Sequence, residues 1–374
     1  MHTTWVELDA AALRDNLRTF QQRVAPAAVM AVVKGNAYGH GLAEVADVLR
    51  GEAAWFGVNA LHEAEALRRD GHEARVLILG TMHPAQAGAI VRGGFSQAVY
   101  DHASLDALDQ AATRAGTRAR VHLKVETGTN RQGLAGSALC HLAAEARARA
   151  GIELEGAYTH YANVEEAEEF GYAAQQLRRF EQALARVETN SPVSVKHTAC
   201  TAAAILYPQT YFNLVRVGIG LYGLWPSAET KRAACAADRT LALRPALSWK
   251  CRIAQIKDVP AGEPVGYGCT FRSERPSRIA VLPAGYYEGL DRGLSNTGAV
   301  LIGGRRAPIA GRVCMNMTMV DVTKIPTATA GDEAVLIGRQ GDAEISADEM
   351  AAWAGTINYE VVTRIAAMLP RVVV

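Results

Sequence analysis

The stretch Ala31-Val32-Val33-Lys34-Gly35-Asn36-Ala37-Tyr38-Gly39-His40-Gly41 decides the reading of this chain. A short apolar run from Val29 to Val33 ends in one lysine, and glycines, an asparagine and a tyrosine follow at once. This is the pattern of a buried strand that carries an amine to its end and then turns. A lysine with an apolar stem and poor hydration has a lowered pKa, so its neutral amine becomes a usable nucleophile. Glycines beside it let the backbone approach a bound group closely. The plainer explanation is a strand end whose lysine snorkels to solvent before a turn. Only the rest of the chain decides between the two.

Outward from this stretch, strand-like and helical runs alternate. Upstream lie a short strand, Thr4 to Leu8, and a helix, Ala10 to Val24, with Asp9 placed to cap it. Downstream, strands are expected at Trp55–Ala60, Arg75–Leu79, Gln97–Tyr100, Val121–Val125, Leu154–Tyr161, Ser194–His197 and Phe212–Val217. Helices follow them, among them His62–Asp70, Ser104–Ala115, Ala138–Ala150 and the acidic Glu165–Val187. Counting Val29–Val33 there are eight β units, and alternation at this pitch means parallel strands with helical crossovers. Eight units of this size are those of a (β/α)8 TIM-type barrel. A doubly wound open sheet is the competitor, since alternation alone does not show closure.

After about residue 235 the texture changes. Strand-like runs stand at short spacing, Ala246–Ile256, Arg278–Leu282, Ala299–Ile302, Val313–Val322 and Ala334–Ile337, with Gly and Pro turns between them and one late helix, Ala347–Ala354. The expected organisation is an α/β barrel over 9–235 and a mostly β domain made of 1–8 and 236–374. The 374 residues, 49% of them hydrophobic, suffice for both cores. Lys+Arg is 39 against 38 Asp+Glu, so no global field favours nucleic acid or a membrane surface. Six cysteines without a Cys-x-x-Cys pair read as reduced thiols. No secretory leader is visible at Met1–Glu7, and no apolar run approaches the ~20 residues of a membrane span. The expectation is a cytoplasmic protein with no nucleic-acid and no membrane partner.

In a parallel barrel, chemistry sits at the carboxyl ends of strands. Those ends read Lys34, Asn59, Lys124 with Glu126, His160, His197, and Arg216 with Gly218. Each alone is more often a structural group, whereas several on one rim signal a site. Gly218-Ile219-Gly220-Leu221-Tyr222-Gly223 matches G-x-G-x-x-G. A dinucleotide fold is rejected, because Trp225-Pro226 interrupts the required helix and no second strand follows. A phosphate cradle of backbone N–H groups needs only the turn, and Thr201 can add a hydroxyl. No metal-ligand spacing, Walker loop or Gly-x-Ser-x-Gly elbow is present. An amine, a phosphate cradle and an arginine just before it fit pyridoxal 5'-phosphate.

From Val6 to Arg371 the sequence resembles the bacterial alanine racemases, whose members combine a pyridoxal-phosphate barrel with a β-domain. The resemblance rests on Ala31–Gly41, on Val215-Arg216-Val217-Gly218-Ile219-Gly220-Leu221-Tyr222-Gly223, and on Gly311-Arg312-Val313-Cys314-Met315. Val265-Gly266-Tyr267-Gly268 and Ile357-Asn358-Tyr359-Glu360 match as well. It implies interconversion of L- and D-alanine, supplying D-alanine for peptidoglycan, by a homodimer with shared active sites. Lys34 would carry the cofactor and act as one acid/base, and Tyr267 would be the opposing base from the other chain. Arg216 would hydrogen-bond the ring nitrogen with His160 behind it. Tyr38, Thr201, Gly218, Ile219 and Tyr359 would hold the phosphate. Arg131 would reach the cofactor's phenolic oxygen and the substrate carboxylate. Met315 would bind substrate through its backbone, Tyr286 would line the entrance, and Lys124 matches a lysine that the family often carbamylates.

Some positions depart from the family pattern. Glu126 and Asn316 stand where aspartate is commoner, and Thr201 where serine is usual. Ala284-Gly285-Tyr286-Tyr287-Glu288-Gly289 replaces the commoner Gly-Tyr-Ala-Asp-Gly. Racemisation of serine or lysine is the alternative reading. A non-catalytic pyridoxal-phosphate carrier would lack the region that holds Tyr267, Met315 and Tyr359. A decarboxylase of related fold would place an acid, not Arg216, at the ring nitrogen.

Overall fold

The computed structural model describes residues 2–165, 170–189 and 191–374. Contacts divide the chain into two compact units. One comprises Ala11–Ala37 and Val45–Pro245; the other comprises Met1–Ala10, Tyr38–Glu44 and Ala246–Val374.

The first unit is built on eight strands: β1 (Ala28–Val32), β2 (Trp55–Val58), β3 (Arg75–Ile78), β4 (Ser96–Val99), β5 (Ala119–Lys124), β6 (Ile152–Tyr158), β7 (Val195–His197) and β8 (Leu214–Val217). They pair in the order β7-β6-β5-β4-β3-β2-β1-β8, all parallel, with the first strand beside the last through Ala28 and Leu214. A doubly wound sheet reverses its strand order at a switch point. This sheet does not, and it curls until β7 meets β8. There Arg216 N–H donates to Ala199 O at 3.1 Å, and the Asn213 side chain bonds Lys196 N at 2.8 Å and Ser194 O at 2.7 Å. The sheet is a nearly closed TIM-type barrel whose seam is held by these few bonds.

Crossover helices pack by one apolar stripe. In Gly171–Val187 the buried residues Ala173, Leu177, Phe180, Leu184 and Val187 recur at steps of three and four. Each fully buried Leu or Phe contributes about 1.5–3 kcal/mol. The expected helix began at Glu165; residues 166–169 of that span lie outside the described residues. The expected strand to Tyr161 stops at Tyr158. Beyond it the backbone is diverted, because Thr159 Oγ1 donates to Val125 O at 2.9 Å and Thr159 O accepts from Arg216 Nη2 at 2.8 Å. His160 therefore sits in a loop.

The second unit is mostly β. A seven-stranded sheet combines Thr4–Leu8, Leu247–Arg252, Ala299–Ile302, Arg305–Pro308, Glu333–Gln340, Ala343–Ile345 and Arg371–Val373. A three-stranded sheet combines Gln255–Val259, Ser277–Leu282 and Thr318–Asp321. The expected strand Ala246–Ile256 is thus two strands in different sheets. The expected strand Val313–Val322 is mostly loop, since Cys314 N–H donates to Met317 O at 2.9 Å and closes a turn before Thr318. Helix Ala347–Ala354 has the expected bounds; Ser346 Oγ caps it by accepting from Glu349 N at 3.0 Å, and Gly355 ends it at φ 71°. A further helix, Asn358–Thr363, was not expected. Among the described residues no helix is long and apolar enough to cross a membrane.

Candidate active site

Lys34 stands just past β1, and the chain after it turns the wrong way for L-residues. Gly35, Asn36, Ala37 and Tyr38 have φ of 63°, 54°, 52° and 54°. Three of these are not glycine, and each left-handed residue costs roughly 1–2 kcal/mol. Local bonds hold the turn. Gly35 N–H donates to Glu63 Oε1 at 2.6 Å, and Ala37 N–H donates to Val33 O at 2.9 Å. The other Glu63 oxygen accepts from Asn59 N at 2.7 Å and Ala60 N at 3.1 Å. Lys34 itself is exposed at the rim. Even so, protein crowds its amine enough that desolvation, then Arg131 and Arg216, lower its pKa; Glu63 opposes them.

Arg216 is the fixed point of the rim. The residue is 5% exposed, and its guanidinium donates every hydrogen bond it makes. Nη1 reaches His197 Nδ1 at 2.7 Å and His197 O at 3.0 Å. Nη2 reaches Thr159 O at 2.8 Å, Thr198 O at 2.9 Å and His160 Nδ1 at 3.3 Å. Burial, then the charges of Arg216 and Lys124, holds the His160 pKa well below the usual histidine range, so its ring is neutral. Lys124 ends β5, 4% exposed, with Nζ 4.3 Å from the centre of the Tyr158 ring. Desolvation, then Arg216 and Arg131, pushes its pKa far down. Arg131 lies on the exposed loop after β5. In that loop burial would raise the Glu126 pKa, but bonds from the backbone N–H groups of residues 128–131 bring it below the ordinary value. An excess of cations therefore converges on one mouth, which suits an anionic ligand.

Thr201 opens a short helix, Thr201–Leu206, and its Oγ1 accepts from Gly218 N at 3.1 Å. Ile219 follows, buried at 1% exposure, and opens a short helical turn, Ile219–Tyr222. A hydroxyl beside a glycine turn that opens a helical turn forms a polar set that fits a phosphate. A side chain at Gly220 would press within 2.6 Å of Thr201 Cγ2 and Phe20.

The remaining expected residues belong to the β unit. The Tyr38 and Tyr359 rings lie 6.2 Å apart, with Tyr359 in the first turn of Asn358–Thr363. Tyr267, Tyr286 and Met315 line one concavity of about 930 Å³, together with Arg312 and Asn316. They are open to solvent, at 73%, 45% and 55% exposure. The Met315 loop is held by Tyr286 N–H to Cys314 O at 3.0 Å and Tyr287 N–H to Met315 O at 2.9 Å.

Sequence reading did not single out Glu63, His122, Glu155 or Tyr158. Part of the signal was present: His122 and Lys124 share a strand face at a spacing of two. Nothing local pointed to Glu63 as the brace of the lysine turn.

Comparison with known proteins agrees along the whole chain. Residues 8–226 match the family model described as alanine racemase, N-terminal domain, and residues 246–373 match alanine racemase, C-terminal domain. Curated alanine racemases of Desulfosudis oleivorans and Symbiobacterium thermophilum are each 40% identical over 99% of this chain, covering 96% and 97% of the relative. The alanine racemase structure from D-cycloserine-producing Streptomyces lavendulae superposes with a TM-score of 0.93 at 34% identity, covering 100% of this chain and 97% of that one. The Bacillus anthracis alanine racemase with bound L-Ala-P gives 0.92 at 34% identity, covering 100% and 95%. With the barrel, the lysine turn and both halves matched, this chain belongs to the alanine racemase family.

Proposed function

We propose that this protein interconverts L- and D-alanine with pyridoxal 5'-phosphate as cofactor. The observation that carries the reading is the mouth of the barrel, where a lysine of lowered pKa stands among Arg131 and an Arg216 held through both Nη atoms. Thr201, Gly218 and Ile219 would hold the phosphate, with Tyr38 and Tyr359 contributing hydroxyls. When bound, the cofactor supplies an electron sink that makes the α-hydrogen of an attached amino acid removable.

The chain's own groups do the rest. Lys34 would hold the cofactor and would take or return the α-proton on one face; its lowered pKa favours the neutral amine. Tyr267, supplied by the second chain of a homodimer, serves the other face. Two bases on opposite faces invert the centre without moving the substrate. Arg216 does not give up a proton, so it would leave the ring nitrogen it hydrogen-bonds an acceptor, and the cofactor would supply only a weak sink. A weak sink favours return of a proton over loss of carboxylate. Arg131 and the Met315 N–H would hold the substrate carboxylate, and Tyr286 would line the entrance. Lys124, if carbamylated, would place an anion beside Arg131. A cytoplasmic homodimer supplying peptidoglycan precursors is part of the same proposal.

The test is a panel of L- and D-alanine, serine, lysine and glutamate, with borohydride fixing the cofactor to its lysine. The expected result is racemisation of alanine above all others, and a label on Lys34. Preference for serine or lysine would replace the substrate assignment. A label elsewhere would remove the central residue, and binding without turnover would leave a carrier.

A further inference from the structure

Beneath Arg216 the barrel interior holds polar side chains that the proposed reaction does not use. Arg216 Nη1 meets His197 Nδ1 at 2.7 Å, His197 Nε2 meets His122 Nδ1 at 2.9 Å, and His122 Nε2 meets Glu155 Oε2 at 2.8 Å. Ser96 Oγ donates to the same carboxylate oxygen at 2.5 Å, and Arg75 donates to the other. His122, His197, Glu155 and Ser96 are each 2% exposed or less. Arg75 is the first residue of β3, half-exposed and stacked over Trp55 at 4.0 Å. The line of side chains therefore runs down the barrel from its carboxyl-end mouth toward its amino end.

The two ends give the line a direction. Arginine only donates, so His197 Nδ1 must accept. Burial, first of all, lowers the pKa of both imidazoles, and each is neutral with a single proton. A neutral ring that accepts at Nδ1 carries its proton on Nε2. His197 thus donates to His122 Nδ1, and His122 in turn donates from Nε2 to Glu155. Glu155 is an acceptor only while ionised, and His122, Ser96 and Arg75 outweigh its burial to bring its pKa to about 2. Every bond points from the cation to the carboxylate. The packing enforces the ring positions: Tyr158 stacks on His197 with centroids 4.7 Å apart and planes 4° apart. A Cβ at Gly156 would stand 2.3 Å from His122 Nδ1.

We propose that Glu155 is a positioning residue for the reaction, which through the protons of His122 and His197 obliges His197 Nδ1 to accept from Arg216 and so fixes the guanidinium at the mouth. The inference rests on the proposed role of Arg216 at the cofactor's ring nitrogen. If the far end becomes a donor, the protons of both rings move to Nδ1, and an N–H of His197 then faces an N–H of Arg216. Glu155→Gln does this, because Arg75 claims the amide oxygen and leaves the amide hydrogens toward His122. Ser96→Ala is the matched control: it removes a contact to the same carboxylate but leaves the line to Arg216 intact.

The experiment reads imidazole ¹⁵N shifts in the full-length protein, with cofactor and after its removal, beside the cofactor's absorption spectrum and steady-state constants. In the parent protein both rings should carry their proton on Nε2. In Glu155→Gln, Nδ1–H forms should appear, the absorption band should shift, and kcat should fall about tenfold with KM held within twofold, the size of one hydrogen bond to a charged group. Ser96→Ala should keep tautomers, spectrum and kcat. An Nδ1 proton on either ring of the parent overturns the proposal, and so does a Glu155→Gln protein with unchanged spectrum. Should that variant not fold, the parent's tautomers still decide. A parent protein without cofactor absorption would instead refute the functional reading, while its tautomers test the line independently.

Discussion

Lys34 and Tyr267 are proposed as the two halves of one reaction, yet their surroundings are opposites. Around Lys34 the barrel mouth is internally finished: Arg216 makes five donated bonds, Glu63 braces the turn, and His160 and Lys124 are packed among cations. Tyr267 stands at 73% exposure in a short helical turn beside an open concavity. The first region is organised by its own unit, and substitutions there should disturb folding and chemistry together. The second presents groups with little internal support, and substitutions there should touch chemistry alone. Such a surface suits completion by another chain.

The sharpest contrast comes from the bases. Lys34→Ala should reduce racemisation by about 10⁴-fold, the upper range for an acid–base group, as measured by chiral chromatography of product. Tyr267→Phe should reduce α-hydrogen exchange from one enantiomer by about 10²–10³-fold while leaving the melting temperature in place. Steady-state rates in both directions fall together because the equilibrium constant is fixed, so solvent-isotope exchange from each enantiomer is the informative measurement. Equal exchange from both would end the two-base assignment.

A third test concerns acid. The Glu155 pKa is about 2 in the fold against an ordinary 4.5. The unfolded chain therefore binds this proton more readily. The stability it confers is full above pH 4.5 and is lost as pH falls toward 2, on the order of 3 kcal/mol. Urea unfolding of Glu155→Gln should show about 2 kcal/mol less dependence between neutral pH and about pH 3, the remainder falling below that range. The smallest effect is expected in the β unit. Glu288, 7% exposed, accepts from Asn316 Nδ2 and from Gly285 N, both at 2.8 Å. Asn316→Asp would set two carboxylates against each other and raise KM for alanine, a cost of about 1–3 kcal/mol. Adding Glu288→Gln restores a donor and should recover most of the loss. Failure of that rescue would mean the pair does not hold the Met315 loop.

The fold was legible because each barrel unit repeats one hydrophobic grammar, a buried strand and then a one-sided helix. Closure was not, since it resides in the neighbourhood of β1 and β8, far apart in sequence. The loop at Val313–Met317 reads as strand in the sequence because its apolar residues mimic one, while the Cys314–Met317 turn that breaks it has no local signature. Lys34, Arg216 and the Gly218 turn stood out by residue type at strand ends. Their brace and their support did not: Glu63 lies 28 residues from Gly35, and Glu155 lies 33 from His122. Nothing in the sequence marks Gly156, whose missing side chain leaves room for the His122 ring.

The left-handed turn after Lys34 has a consequence for the order in which this molecule assembles. An unfolded chain rarely visits three such residues in succession, so the turn cannot act as a nucleus. It can close only after Glu63 and the end of β1 are in place to receive its amides. The lysine's geometry is then a late product of folding, and the amides of Gly35 and Ala37 should open to solvent exchange without unfolding the strands behind them.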